Sequence, residues 1–398
     1  MTAPLFLNDC GIVSPLGRGR QATAAALAAG GRDGLIVRDD LVPGRTVRVG
    51  AVTGDLPAPP SALAGLDCRN NRLMLVALGE IAASIEAAAA RYGRHRVAVV
   101  LGTSTSGIAE GEAALGQFRA TGAWPATYHY RQQETGSLAE FAAQALGLTG
   151  PAYTVATACS SSVKVFASAR RLIRAGLADA AVIGGADTLC RMTLNGFGAL
   201  QALSRGLCNP FSANRDGITI GEGAAAFLLS AEPGPVQFLG VGETSDAHHP
   251  TAPDPTGGGA RLAMVQALDD AGLTAAEIDY VNLHGTATPL NDAMESAAVA
   301  GLFGSETPCS STKGMTGHML GGTGGCEAAF LWLTLNPATS TGLLPPHVWD
   351  GAPDPALSPL DLIGPGTPVP DRARLAMLSN SFGFGGSNVS VILGRGWA

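Results

Sequence analysis

The sequence predicts an α/β fold of layered sheets and helices built from two similar halves. Runs typical of buried strands alternate with helical runs along the chain of 398 residues, an order that places helices on both faces of a sheet. Two segments, VAVVLGTSTSG at 97–107 and IDYVNLHGTATP at 278–289, both run from an apolar strand into Gly-Thr-x-Thr. This faint repeat and the length of the chain indicate two halves, residues 1–230 and 231–398.

Hydrophobic periodicity assigns the individual elements, because buried strands read as short apolar runs and helices as a period of 3.6 residues. The predicted strands are 96–101, 180–183, 224–229 and 280–283. The predicted helices are 22–29, 73–91, 161–175, 260–271 and 326–335. Pro-rich stretches at 56–60 and 345–370 are predicted to be surface loops. The strand-end loops of the two halves should converge, and open α/β sheets place their sites there.

Composition and charge limit the classes of function. The formal net charge of −7 disfavours nucleic-acid binding. The seven cysteines contain no Cys-x-x-Cys pair, which favours reduced thiols over a disulfide framework. The first ten residues lack the basic and apolar regions of a signal peptide, and no apolar run reaches the roughly 18 residues of a membrane span. We therefore expect a cytoplasmic protein without a membrane span or a nucleic-acid partner.

Cys159 is the candidate nucleophile. In YTVATACSSSVKVFASARRLIRAG an apolar strand runs into this cysteine, and a long helical pattern begins directly afterwards. The dipole and free N–H groups at a helix start stabilise a thiolate, whereas burial among apolar side chains disfavours it. An isolated cysteine is more often a buried structural residue. The catalytic interpretation therefore depends on the residues that accompany it.

Two histidines in glycine-rich loops complete a catalytic pattern. His284 lies in NLHGTATP and His318 lies in SSTKGMTGHMLGGTGG. With a candidate thiol nucleophile they form a constellation typical of covalent catalysis. A metal site is the alternative interpretation, but neither loop has a carboxylate at short ligand spacing, so we expect no metal.

Two charged residues accompany the histidines. Only two of the 25 basic residues are lysines, and one of them, Lys313, lies in the His318 motif, where a compact point charge has a use. Glu327 follows His318 on the next predicted helix. It is placed to orient Lys313 or a histidine, and a solvated helix acid is the alternative.

A loop rich in glycine and phenylalanine near the C-terminus is the last candidate element. The segment LSNSFGFGGSNVSVILG places this loop between a short strand and a final strand. Glycine lets backbone N–H groups approach a reacting carbonyl closely. The spacing differs from that of a dinucleotide-binding loop, and a strand follows instead of a helix.

Four motifs, TACSSS, NLHGTATPLND, SSTKGMTGH and NSFGFGGSN, resemble in order and spacing the signatures of the β-ketoacyl-acyl-carrier-protein synthases. The likeness extends through GGADT, GFGALQALS, RDGITIGEGAA and SDAHH and covers nearly the whole chain from about residue 95. The family implies a thiolase-like fold, with two similar halves in a layered αβαβα arrangement. It also implies a decarboxylating acyltransferase without a cofactor, because its substrates are carried on the phosphopantetheine arm of an acyl carrier protein.

The resemblance implies a role for each residue of the catalytic constellation. Cys159 would accept the acyl chain from its carrier. His284 and His318 would bind the malonyl thioester and stabilise the enolate that forms as carbon dioxide leaves. Lys313 and Glu327 match a lysine and its partner acid, which act electrostatically around the histidines.

Four further positions match the family. The N–H groups of Cys159 and Phe384 would form the oxyanion hole, and Phe384 would also act as a gate. Thr286 and Thr288 would hydrogen-bond the phosphopantetheine arm, and Phe382 would contact the substrate.

The chain departs from the family pattern at two places. CSSS replaces the more usual small residues after the cysteine, a change that we expect to be minor. Gln201 stands where many members have an arginine that docks the carrier protein. Other arginines, such as Arg69, Arg72 or Arg205, would then serve for docking.

A finer resemblance concerns RNN at 69–71, GTSTSG at 102–107 and YHYRQQE at 128–134, which look like ketosynthases of bacterial aryl polyene clusters. Such an enzyme would work as a homodimer, or as a heterodimer with a chain-length-factor-like homologue. The small side chains of residues 103–109 would then help to shape an acyl tunnel. General fatty-acid elongation and a non-condensing partner subunit remain the alternatives.

Overall fold

The computed structural model describes residues 3–397, in which strands and helices alternate as the sequence indicates. The strands are β1 Leu5–Ser14, β2 Gly17–Arg18, β3 Leu35–Val42, β4 Arg45–Gly50, β5 Val97–Gly102, β6 Ala152–Val155, β7 Ala180–Asp187, β8 Gly223–Ser230, β9 Val236–Ser245, β10 Tyr280–Asn282, β11 Pro308–Ser310, β12 Asp361–Leu362, β13 Leu375–Gly383 and β14 Ser387–Arg395. The α-helices are α1 Arg20–Ala28, α2 Arg69–Glu80, α3 Ala82–Tyr92, α4 Ile108–Thr121, α5 Ser137–Leu146, α6 Ser161–Arg174, α7 Arg191–Ala199, α8 Gly258–Ala271, α9 Pro289–Phe303, α10 Lys313–Thr316 and α11 Thr323–Leu335.

The large sheet consists of two similar groups of strands. Its order is β12-β11-β10-β13-β14-β9-β1-β8-β7-β5-β6, and the pair β1–β9 joins the two groups through three residues of each strand. In the first group β5 lies parallel to β7 and β6, and β7 lies antiparallel to β8. In the second group β10 lies parallel to β13 and β11, and β13 lies antiparallel to β14. The two strands of the predicted repeat, β5 and β10, therefore occupy equivalent positions.

Helices cover both faces of each group of strands and form the layers of the fold. Along β5, Val97, Val99 and Leu101 pack with α2 and α5 on one face, and Ala98 and Val100 pack toward α6 on the other, as the period of two residues in a strand requires. Every residue of α11 is buried, and this helix lies beside α6 between the two groups of strands. The helix α8 covers the outer face of β9 and β14. The αβαβα layering predicted from the family resemblance is thus observed.

The predicted helix 73–91 is wrong as a single element. The chain leaves helical geometry at Ile81, and α2 and α3 are bent by 73° relative to each other. Just before the break, the Glu80 carboxylate accepts hydrogen bonds from the N–H groups of Ile12 and Arg20. This tertiary contact fixes the end of α2 and leaves no trace in the local periodicity. In the described part of the chain no single helix is long and apolar enough to cross a membrane, although this bent pair meets the length and composition criteria together.

The Pro-rich segment 345–370 is only partly the surface loop that was predicted. Its first residues are buried, and the His347 ring accepts a hydrogen bond from the Ser311 N–H and lies 3.0 Å from the Pro210 carbonyl oxygen. Because burial dominates, the pKa of His347 is lowered to about 4. This neutral imidazole therefore links two loops that lead to the site described below.

Candidate active site

Cys159 lies in a strained turn between β6 and α6. The preceding residue, Ala158, has φ of 53°, in the left-handed region that non-glycine residues rarely adopt. The Ser161 hydroxyl supports this turn, because it accepts a hydrogen bond from the Thr157 N–H at 2.9 Å and donates one to the Ala158 carbonyl at 2.6 Å. The Cys159 side chain thus points from a helix start, as the sequence predicts, and only 6% of the residue is exposed.

The balance between burial and the polar environment of the thiol leaves Cys159 protonated. Burial raises the pKa of Cys159 to about 11. The Lys313 charge and the backbone N–H groups of Phe384 and Cys159 act in the opposite direction. Two of these three stabilising groups are the N–H donors that the family resemblance assigns to an oxyanion hole.

Both predicted histidines lie beside this thiol. The Nε2 atom of His318 is 3.1 Å from Cys159 Sγ, and its Nδ1 atom is 2.9 Å from Thr323 Oγ1. The His284 ring lies 5.2 Å from the His318 ring, at 83° to it. Burial, followed by the Lys313 charge, lowers the pKa of both imidazoles well below the usual value. The site therefore contains two neutral imidazoles.

Lys313 and Glu327 form a buried ion pair behind the histidines. Lys313 Nζ lies 2.6 Å from Glu327 Oε1, and both side chains are almost completely buried. The Thr312 hydroxyl donates a second, longer hydrogen bond to the same carboxylate oxygen. Glu327 therefore contacts Lys313 rather than a histidine, and the interpretation of Glu327 as a solvated acid is wrong.

The glycine- and phenylalanine-rich segment forms a tight hairpin over the thiol. It connects β13 to β14, so only Phe384, Gly385 and Gly386 lie outside the strands, and β13 is longer than the short strand we predicted. Phe384 is 36% exposed and its ring lies 5.3 Å from that of Phe197. The ring of Phe382 lies 5.8 Å from that of His284.

A cavity of about 290 Å³ leads to these groups. Cys159, His284 and His318 line it together with Phe382 and Phe384. Further lining residues include Thr286, Thr288, Gln201, Leu200, Leu290 and Phe197. The hydroxyls of Thr286 and Thr288 are 2.9 Å apart. The cavity is thus mainly apolar with convergent polar groups, a combination typical of ligand sites.

Two carboxylates to which the sequence analysis assigns no role hold the His284 loop. Glu295 accepts hydrogen bonds from the N–H groups of His284 and Gly285, each at 2.7 Å. Asp292 accepts hydrogen bonds from the N–H groups of Phe211 and Ala287. Burial raises the pKa of Glu295 to about 7 and that of Asp292 to about 6. Both lie on the buried face of α9. The signal in the sequence that could have identified them is their short spacing after His284.

Asp187 is a third buried carboxylate with a structural contact to the site. It accepts hydrogen bonds from Thr103 and Ser104 side chains, from the N–H groups of Ser104 and Thr105, and from Gly321 N–H at 2.6 Å. It thereby ties the end of β5 to the turn that follows His318. None of residues 103–109 lines the cavity at Cys159, and their part in shaping an acyl tunnel stays a prediction.

The proposed docking arginines differ in their environments. Arg69 forms an ion pair with the buried Glu222 at 2.6 Å, and Arg72 pairs with Asp67 at 2.6 Å. Both guanidinium groups thus have carboxylate partners within this chain, and their role in docking stays a prediction. Arg205 is exposed. Gln201 lines the cavity with φ of 54°.

The ligand atoms of Cys159, His284 and His318 lie within 4.8 Å of one another, so the three residues form a set that zinc accepts. However, the positive charge of Lys313 lies close to this set and already lowers the pKa of both imidazoles. The Lys313 charge would repel a metal cation bound by these three residues. This arrangement favours the covalent interpretation of the cluster.

The sequence matches two family models and several curated relatives. The family model described as "Beta-ketoacyl synthase, N-terminal domain" matches residues 68–233, and its C-terminal counterpart matches residues 237–348. A 3-oxoacyl-[acyl-carrier-protein] synthase 2 from Staphylococcus aureus is 36% identical over 268 residues, which cover 62% of this chain and 64% of that protein. One from Rhizobium meliloti (strain 1021) is 40% identical over 272 residues, 62% of each chain. The chain thus spans less than two thirds of the curated relatives it matches.

Two solved structures resemble the chain over nearly its full length. A ketosynthase in complex with its chain length factor from Xenorhabdus doucetiae is 45% identical, with a TM-score of 0.94, covering 99% of this chain and 98% of that chain. The ishigamide ketosynthase/chain length factor is 27% identical, with a TM-score of 0.88, covering 99% and 100%. With its thiolase-like layers and the four motifs assembled around one cavity, the chain belongs to the β-ketoacyl synthase family.

Proposed function

We propose that this protein is a β-ketoacyl-acyl-carrier-protein synthase that forms carbon–carbon bonds by decarboxylative condensation. The observation that carries the proposal is the cluster of Cys159, His284 and His318 in the wall of one cavity, with the Sγ atom and ring nitrogens within 4.8 Å of one another. A thiol alone would serve acyl transfer. Two neutral imidazoles beside it supply the hydrogen-bond donors that an enolate needs.

In the loading step Cys159 takes the acyl chain from a carrier-protein thioester. The sulfur attacks the thioester carbonyl, and the oxyanion receives hydrogen bonds from the N–H groups of Cys159 and Phe384. When the tetrahedral intermediate collapses, the carrier thiolate leaves and takes up the proton that the Cys159 thiol gave up. His318 Nε2 lies 3.1 Å from the sulfur and keeps its own proton in this step.

In the condensation step a malonyl thioester occupies the same cavity. The bond between the malonyl carboxylate and its CH2 carbon breaks, and carbon dioxide leaves. The electron pair of this bond forms the enolate of the remaining thioester. His318 and His284 donate hydrogen bonds to the enolate oxygen from neutral rings. For His318 this requires the ring proton on Nε2, and the Thr323 hydroxyl, 2.9 Å from Nδ1, then acts as the donor to Nδ1. The enolate carbon attacks the Cys159 thioester, and the thiolate leaves from the β-ketoacyl product. Protonation of the released Cys159 thiolate then restores the resting thiol.

Lys313 and Glu327 act on this chemistry without touching the substrate. Their ion pair keeps a positive charge beside both imidazoles and the thiol. That charge opposes protonation of the rings, so that each can donate a hydrogen bond to a developing anion. Thr286 and Thr288, at the wall of the cavity, are placed to hydrogen-bond the phosphopantetheine arm.

The proposal extends to the partners and the setting of the enzyme. We propose an acyl carrier protein as donor and a second ketosynthase-like chain, identical or chain-length-factor-like, as dimer partner. This partner rests on the structures of related ketosynthases in complex with a chain length factor. We further propose cytoplasmic location, a division of the chain near residue 230, no cofactor beyond the carrier's arm, and, from the motif resemblance, aryl polyene chain elongation.

A two-stage assay tests the proposal. The purified protein, alone and with its co-purified homologue, receives acyl carrier protein loaded with an aryl-enoyl or a saturated acyl chain and then malonyl carrier protein. The proposal predicts a β-ketoacyl carrier product and one carbon dioxide per product. A product from aryl-enoyl donors alone supports the polyene assignment, and a product from both indicates general elongation. If acylation occurs but neither donor is extended, the condensing function is wrong.

A further inference from the structure

The three serines that follow Cys159 are more than the minor departure we expected. Ser160, Ser161 and Ser162 are all buried. Each makes a different hydrogen bond. Ser161 supports the nucleophile turn, and Ser162 accepts a hydrogen bond from the Gly325 N–H on α11 at 2.8 Å. Ser160 reaches a third element, the β13–β14 hairpin.

The Ser160 hydroxyl connects the nucleophile turn to this hairpin. Its oxygen lies 2.8 Å from the Thr157 carbonyl oxygen and 3.1 Å from Ser387 Oγ. Ser160 is the donor in both contacts, and because a hydroxyl has one proton, that proton is shared between the Thr157 carbonyl oxygen and Ser387 Oγ. Ser387 is the first residue of β14, directly after the turn that contains Phe384.

The other end of the turn is packed on the same residues. A Cβ added to Gly383 would lie 2.9 Å from the Thr157 carbonyl oxygen, 3.3 Å from Cys159 N and 3.3 Å from Ser160 Oγ. The backbone of the hairpin therefore meets the nucleophile turn at Gly383 and is bound to it again at Ser387. The N–H of Phe384 lies between these two attachments and faces the Cys159 sulfur.

We propose that Ser160 is a positioning residue that holds the hairpin over Cys159 through Ser387, so that the Phe384 N–H is fixed in the oxyanion hole. This inference rests on the proposed function, because the oxyanion arises only if Cys159 is acylated. Preorganised donors matter because an oxyanion hole works without reorganisation when charge develops. A hairpin attached at Gly383 alone would leave the donor less well fixed.

A double-mutant cycle in single-turnover acylation tests the link. Ser160→Ala and Ser387→Ala should each slow acylation at saturating acyl-carrier protein roughly tenfold. A tenfold change in rate corresponds to the free energy of about one hydrogen bond. The carrier concentration at half-maximal rate should not change. The double variant should be slowed about tenfold rather than about a hundredfold, because both changes break one contact. Ser387→Thr keeps the hydroxyl and should retain the wild-type rate.

Two outcomes would overturn the proposal. One is a wild-type acylation rate in Ser160→Ala, and the other is a multiplicative loss in the double variant. Circular dichroism on each variant establishes that the folded fractions are equal, so that lost stability does not imitate a slow step.

Hydrogen exchange separates this inference from the proposed function. Amide exchange of the peptide that spans 383–387 should be faster in Ser160→Ala than in wild type and unchanged in Ser162→Ala, whose lost bond lies at α11. This measurement needs no acyl donor. If the wild type never accepts an acyl chain, the proposed function fails, and unchanged exchange in Ser160→Ala overturns the positioning role independently.

Discussion

Cys159 Sγ lies 3.1 Å from His318 Nε2, and both groups are neutral. A thiolate–imidazolium pair at this distance would require the thiol to have the lower pKa. Burial moves the two pKa values in the opposite directions, that of the thiol upward and that of the imidazole downward. The resting site therefore contains a thiol and a ring able to donate to a developing oxyanion, as the proposed condensation requires.

This neutral pair predicts a simple pH profile for alkylation of Cys159. Because only the thiolate reacts, the rate with iodoacetamide should rise about tenfold per pH unit between pH 7 and pH 10. Peptide mass spectrometry of the Cys159 peptide measures it. A rate that levels off near pH 7 would show an ion pair and contradict the neutral assignment.

The His318 side chain should matter more for condensation than for loading. His318→Ala should still be acylated at Cys159, because the oxyanion donors are backbone N–H groups. Its decarboxylative condensation should fall about a hundredfold or more, since one enolate donor is lost. Separate measurement of acyl-enzyme formation and of carbon dioxide release decides this, and undiminished condensation would remove His318 from the second step.

The buried Lys313–Glu327 pair predicts different effects of single and double substitution. Lys313→Met leaves Glu327 as an unpaired buried charge and should reduce the free energy of unfolding by about 3–5 kcal/mol. Adding Glu327→Leu should restore most of that stability, because the unpaired charge is gone. Condensation should remain low in both variants. Urea unfolding and the condensation assay test this together, and recovery of activity in the double variant would contradict an electrostatic role for the pair.

The depressed pKa of His347 predicts how its contribution to stability changes with pH. The pKa of His347 in the folded protein is about 4, below the ordinary value of 6.5. Between these two pH values the unfolded chain therefore binds a proton at His347 and the folded chain does not. The contribution is therefore complete above pH 6.5 and is lost toward pH 4. Relative to His347→Gln, the wild type should lose about 3 kcal/mol of unfolding free energy over this range. Urea unfolding of both proteins at several pH values tests it, and a constant difference would contradict the assignment.

The sequence predicts the candidate catalytic residues because their motifs are local. Cys159 follows a strand and precedes a helix, and the two histidines lie in glycine-rich loops, so short segments carry the signal. The structure brings these segments together at one cavity. The alternation of elements likewise predicts the layers, because it depends on local periodicity alone.

What the sequence could not predict depends on contacts between distant segments. The break at Ile81 follows from contacts of Glu80 with β1 and α1. Asp187 and Glu295 read as ordinary polar residues until their buried N–H partners are known. The same is true of Ser160, whose partner Ser387 lies more than two hundred residues away.

Intact-protein mass spectrometry after incubation with acyl-carrier protein tests the central claim most directly. The account predicts one acyl adduct on the wild-type protein, located at Cys159 by peptide mapping, and none on Cys159→Ala, with equal folding by circular dichroism. Hydroxylamine should remove the adduct, as a thioester requires. An acylated Cys159→Ala protein, or a wild type that remains unmodified by aryl-enoyl and saturated donors with and without its homologue, would contradict the assignment of Cys159 as the nucleophile.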